Sequence, residues 1–155
     1  MQSIADIMPE LNISPSTVNL GLVLFGTTIT EIIPLSTNAT ALSTTIAAID
    51  YPDSRTRTDL GIVQAHDMFD TTGRPNVPQH LVVITDGASA ERRLTKVAVA
   101  AAKSDNITMH AMGVGSGINT DELNLIATNS SYLTIAPTFE DLKITLKEMV
   151  IALCG

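Results

Sequence analysis

Residues 81–85, LVVIT, run as an unbroken apolar or β-branched stretch into Asp86-Gly87. A run of this length, closed by a turn dipeptide, reads as a strand buried on both faces. Such strands belong to parallel sheets covered by helices on either side, so this stretch constrains the fold more than any other. In an open α/β sheet, ligands bind beyond the carboxyl ends of the strands. Asp86 would then stand where such a sheet meets its ligand. Asp-Gly is also an ordinary turn former, and the dipeptide alone does not choose between the two readings.

The rest of the chain supplies the alternation that a parallel sheet needs. Ile4, Ile7, Met8 and Leu11 fall at helical spacing, with Pro9 bending or interrupting the helix. Residues 18–25 (VNLGLVLF) read as a buried strand and residues 29–35 as a second one. Their short connection, Gly26-Thr27-Thr28, makes them an antiparallel hairpin, and Pro34 puts the second strand at an edge. Leu42, Ile46 and Ile49 mark a short helix, and residues 50–55 read as a loop. Thr56-Arg-Thr-Asp59 leads into a helix carrying Leu60, Val63, Ala65 and Met68, with Asp59 placed to suit its dipole. After the 81–85 strand come an alanine-rich helix over 94–103 and a strand over 107–114. Asn119-Thr-Asp-Glu122 has the form of a capping box for a helix holding Leu123, Leu125 and Ile126. A short strand over 132–135 and a last helix follow, the helix with Leu142, Ile144, Leu146 and Met149 as inward positions. Helices alternating with strands give an α/β fold: an open, mostly parallel, doubly wound sheet with one antiparallel edge strand, forming one domain over 1–155.

Composition narrows the function classes. Of 155 residues, 45% are hydrophobic but only 3% aromatic, so the core is aliphatic. The net charge is −7 and there is no basic run, which argues against a nucleic-acid partner. No apolar run approaches the ~18 residues of a membrane span, and the first residues do not have the form of a signal peptide. Four Asn-x-Ser/Thr sequons, at Asn12, Asn38, Asn106 and Asn129, make these candidate glycosylation sites and lean toward a secreted protein. Cys154 is the only cysteine, which excludes an internal disulfide and a cysteine-rich metal site. His66, His80 and His110 show no zinc-ligand spacing. Gly113-Val-Gly-Ser-Gly117 lacks the lysine of a phosphate-binding loop and reads as a strand exit using positive φ. No nucleophile elbow or Ser-His-Asp order is present.

Taken in order, residues 18–26 (VNLGLVLFG), 55–62 (RTRTDLGI), 81–89 (LVVITDGAS), 112–128 (MGVGSGINTDELNLIAT) and 132–142 resemble a von Willebrand factor type A domain. The resemblance implies an open α/β sheet with a metal-ion-dependent adhesion site at its top, where three loops hold Mg²⁺ or Mn²⁺ and a partner protein adds an acidic side chain. Thr56 matches the threonine of the second loop and Asp86 the aspartate of the third. A hydroxyl beside few carboxylates suits a hard cation that keeps several waters and leaves it able to accept a partner's carboxylate. Arg57, Gly87 and Ser89 flank these two positions and are the expected ligand-contacting residues.

The family's first loop, Asp-x-Ser-x-Ser, occurs nowhere in the chain. The strand before it would lie between the 18–25 and 81–85 strands. Burying five large aliphatic side chains on such a strand is worth on the order of 8–15 kcal/mol, comparable to a whole domain's stability of ~5–15 kcal/mol. The expectation is therefore a chain that is one part of a longer protein, with weak or no metal binding as it stands. Family members often pair a cysteine before the first strand with one after the last helix. Cys154 matches the second position.

The resemblance implies a non-enzymatic, extracellular protein-binding domain for adhesion or matrix interaction, with collagen or another matrix protein as ligand. Two alternatives stay open. One is a nucleotide- or substrate-binding enzyme using the same sheet end, and the other is a structural module that binds partners without metal.

Overall fold

The computed structural model describes residues 2–50 and 55–154, with the side chains of residues 2, 3 and 154 left out. The chain opens with α1 (Gln2–Ile7), which tightens into a 3-10 turn, Met8–Glu10, at Pro9. The hairpin follows as β1 (Leu20–Phe25) and β2 (Ile29–Ser36), antiparallel, with Val23 opposite Ile32 and two irregularities in register. Then come α2 (Ala39–Ala47), α3 (Thr58–Thr72), β3 (His80–Thr85), α4 (Arg92–Ser104), β4 (Thr108–Val114), α5 (Thr120–Ile126), β5 (Leu133–Ala136) and α6 (Phe139–Cys154). Most of the 50–55 loop lies outside the described residues.

β3, β4 and β5 form a parallel ladder in that order. Helices cover both faces, as the alternation of elements requires. On one side α1, α2 and α6 bury Ile7, Met8, Leu42, Ile46, Leu142 and Leu146 against Met112, Val114 and Ala136 of the sheet. On the other, α3, α4 and α5 pack Ile62, Ala98, Val99, Ala102, Leu123 and Ile126 on Leu81, Val83, Met109 and Ala111. The alanines of α4 let that helix approach the sheet closely. The mixed α/β architecture expected from the sequence is thus the one observed.

The ladder is split. Among the described residues, β1–β2 and β3–β4–β5 are separate sheets, with no strand pairing β1 to β3. The break falls where the family's first strand was expected. Leu20 and Leu22 of β1 and Val82 and Ile84 of β3 still pack against one core cluster, so a common core spans the break. All four are only partly buried, whereas every residue from Met109 to Val114 is buried.

One expected inward position in each of two helices faces outward, while Met68 in α3 and Leu142 and Leu146 in α6 are buried as expected and Ala65 and Met149 pack against the core. Val63 in α3 is 56% exposed and Ile144 in α6 is 55% exposed. The inward positions are Ile62 and Met68 in α3, and Leu142 and Leu146 in α6.

Candidate functional site

The loops at the carboxyl ends of β1 and β3 converge through the backbone. The Arg57 N–H donates to Gly26 O at 2.9 Å, tying the start of α3 to the end of β1. The Ala90 N–H donates to Thr56 O at 2.8 Å, tying the loop after β3 to the loop before α3. The exit of β4 joins them: a Cβ added at Gly117 would lie 2.9 Å from Asp86 O. Thr56 and Asp86 therefore sit on neighbouring loops at the carboxyl end of the parallel strands. Thr56 is half-buried and Asp86 exposed. Gly87 leaves open space on its Cβ side, with nothing within 4 Å.

Each loop has its own brace. Thr85 Oγ1 donates to Gly87 O at 3.0 Å and accepts from the Gly87 N–H at 3.3 Å, closing the turn after Asp86. Ser89 Oγ accepts from the Glu91 N–H at 3.2 Å and from Thr95 Oγ1 at 2.9 Å, which ties the loop to the start of α4. Arg57 precedes α3 and forms a bidentate pair with Asp59, Nε to Oδ1 at 2.8 Å and Nη2 to Oδ2 at 2.7 Å. That hydrogen bonding outweighs burial and holds the Asp59 carboxyl below its usual range. The guanidinium of Arg57 is thus committed to its own helix, and the hydroxyl of Ser89 to α4. Arg55, Arg92 and Arg93 are exposed near the same rim.

One residue of the site escaped the sequence reading. The Asn119 cap forms as expected, with Oδ1 accepting from the Glu122 N–H at 3.0 Å. Glu122 does not complete the capping box. Its side chain is buried, 2% exposed, and Oε1 accepts from the Ser89 N–H at 2.9 Å. The signal was a glutamate at the capping-box position, but nothing in the sequence showed that it would turn to a different loop. Glu122 Oε2 and Thr58 Oγ1, both buried, have no hydrogen-bond partner among the described residues.

The donors these loops offer are oxygens, from one exposed carboxylate and one threonine hydroxyl. That is the donor chemistry of a hard divalent cation. Among the described residues, no three His, Cys, Asp or Glu side chains gather as a metal cluster. The other sequence candidates lie elsewhere. Asn12, Asn38, Asn106 and Asn129 are all exposed. Asn38 caps α2 through Ala41 N, and Asn129 accepts from Ser131 N at 2.9 Å. Cys154 closes α6, and its side chain lies outside the described part. Gly115, with φ +79°, is the positive-φ glycine at the exit of β4.

Comparison with known proteins gives a consistent relationship. Mouse Matrilin-4 is 31% identical over 158 residues, covering 96% of this chain and 25% of its own length. The chain thus spans about a quarter of that relative. Proximal thread matrix protein 1 from the mussel byssus, solved with a zinc-occupied MIDAS motif, superposes with a TM-score of 0.81 at 20% identity, over 97% of this chain and 38% of its own. Manganese-loaded TRAP protein of Plasmodium vivax gives 0.74 at 22% identity, over 96% and 64%. These two show the shared fold. The sequence pattern of the von Willebrand factor type A domain matches residues 1–148, and the chain belongs to that family.

Proposed function

We propose that this domain is a non-enzymatic protein-binding module for adhesion or matrix interaction, acting outside the cell, and that its contact surface is the rim formed by the Thr56 and Asp86 loops. The observation that carries this reading is the Ala90 N–H to Thr56 O bond, which fastens the two loops together at the carboxyl end of the sheet. It leaves Asp86 exposed beside the open face of Gly87. The relationship to Matrilin-4 and the shared fold of a Lactobacillus rhamnosus pilus adhesin support it. No helix among the described residues is long and apolar enough to cross a membrane.

In this reading Asp86 and Thr56 would hold Mg²⁺ or Mn²⁺, and the cation would supply an electrophilic centre for a carboxylate from the partner. A matrix protein such as a collagen, presenting an acidic side chain, is the proposed ligand. The metal-loaded state of the mussel and Plasmodium proteins supports divalent chemistry in this fold. Two protein donors supply only part of an octahedral shell, so affinity for the bare ion in this chain should be weak. Gly87 and the exposed arginines of the rim would face the partner, and Arg57 and Ser89 would hold the loops in place. Glycans at Asn12, Asn38, Asn106 or Asn129, and a disulfide from Cys154, belong to the same extracellular proposal.

The test is binding to immobilised matrix proteins in Mn²⁺ and in EDTA, for the wild-type chain and Asp86→Ala. Binding lost in both EDTA and the variant supports a metal-bridged contact. Binding unchanged in both would leave a metal-independent module. Thermal stabilisation by ATP or NAD in place of the divalent ions would favour an enzyme.

A further inference from the structure

At the opposite end of the sheet from Asp86, the parallel register brings together two histidines that lie 30 positions apart in sequence. His110 stands opposite Val82, which places His80 on the same face one diagonal step away. His80 Nδ1 and His110 Nε2 are 3.1 Å apart and share a hydrogen bond, with the ring centroids at 5.3 Å. Tyr132, just before β5, meets His110 edge-on at 4.8 Å. The three rings form a row across the bases of β3, β4 and β5. His110 is 3% exposed.

Among the described residues, no carboxylate is hydrogen-bonded to either ring. The buried core on this face of the sheet is apolar. α6 turns Leu142 and Leu146 inward, while Lys143 pairs with Asp6 and Lys147 with Glu10. α1 presents Ala5, Ile7 and Met8. Arg74, in the loop before β3, donates to Pro15 O and Thr17 O. The groups of the row whose protonation the fold displaces are His80 and His110. Burial lowers His80, and burial with the neighbouring His80 pushes His110 down to about 4.

We propose that the His80–His110 pair is a pH-sensitive latch at the base of the sheet. Its hydrogen bond needs one N–H and one bare nitrogen at the contact, so it exists while at least one ring is neutral. When both rings are protonated, donor faces donor and two cations meet without a counter-ion. The latch matters because β3 has a single strand neighbour, β4, among the described residues. A side-chain tie between these two strands therefore reinforces the only ladder that holds β3. As the pH falls toward 4 and the second ring takes up its proton, the tie is lost and the base of β3 loosens.

The sign follows from proton binding. Both histidines take up protons more readily in the unfolded chain than in the folded one. Stability is therefore lost as pH falls from about 6.5 toward 4, by up to tenfold in the unfolding constant per pH unit for each proton.

The experiment is urea unfolding of the whole chain between pH 7 and 4.5, for wild type and His80→Gln. The unfolding constant of wild type is expected to rise about tenfold more than that of the variant. Curves that run parallel within twofold would overturn the latch. A second measurement needs no variant: NMR titration of the histidine ring protons in the folded wild-type chain. His110 should remain neutral down to at least pH 5. An ordinary titration near 6.5 in the intact fold would also overturn the proposal.

Discussion

The Ser89 backbone N–H donates to the buried carboxylate of Glu122 at 2.9 Å, joining the loop after β3 to the first turn of α5 across 33 residues of chain. That bond holds the segment running from Asp86 to α4 against the start of α5, which packs on the same face of the sheet as α4. Glu122→Ala would leave the N–H without its acceptor and open a void beneath the loop. A hydrogen bond to a charged group contributes about 1.5–3 kcal/mol, so a loss of that order is expected in urea unfolding. Glu122→Gln keeps an amide oxygen at the Oε1 position and should lose less than half as much. Equal losses for the two variants would mean that the bond to Ser89 contributes little.

Asp86 has the opposite character. It is exposed, and exposed positions away from caps and packed contacts change stability within about 0.5 kcal/mol. Asp86→Ala should therefore leave the melting temperature almost unchanged and abolish any response to Mn²⁺. A large drop in melting temperature in metal-free buffer would assign Asp86 a structural role instead.

Arg57→Ala would strip the counter-ion from Asp59, whose side chain is 6% exposed against 26% for Arg57. Exposed pairs contribute ~0.2–1 kcal/mol, and breaking a fully buried pair costs about 3–5 kcal/mol. Arg57→Ala is therefore expected to lower stability near pH 7. The depressed carboxyl of Asp59 adds stability that is present above about pH 4 and is lost as pH falls through its folded value. Wild type and variant should therefore converge in stability at strongly acid pH, which calorimetry across pH 2–7 would check.

Gly61→Ala sets two effects against each other. Alanine favours the helix by about 1 kcal/mol over glycine. The added Cβ would lie 2.5 Å from Phe25 Cδ1, with two further ring carbons at 2.9 Å, so the whole ring edge must move. Overpacking of that kind costs about 1–3 kcal/mol. A net loss of up to about 2 kcal/mol is expected, and a raised melting temperature would show that the ring relocates freely.

The elements, their order and the fold class were legible in the chain because each rests on local chemistry. The continuous run at 81–85 could only be a strand covered on both faces, and the Gly26-Thr27-Thr28 connection could only close a hairpin. The loops bearing Thr56 and Asp86 were singled out by the resemblance to the von Willebrand factor type A pattern, and the structure sets them side by side. The tertiary structure decided what depends on phase, register and distance along the chain. Packing, not period, turned Val63 and Ile144 outward. Glu122 was readable as a capping residue, but its turn toward Ser89 depends on how α5 docks beside the loop after β3. His80 and His110 share no spacing motif, because strand register is set by the pairing of β3 with β4 and has no local signature. The break between β1 and β3 has the same origin. Sequence places each strand in order, but only the hydrogen-bonded ladders determine which strands are neighbours.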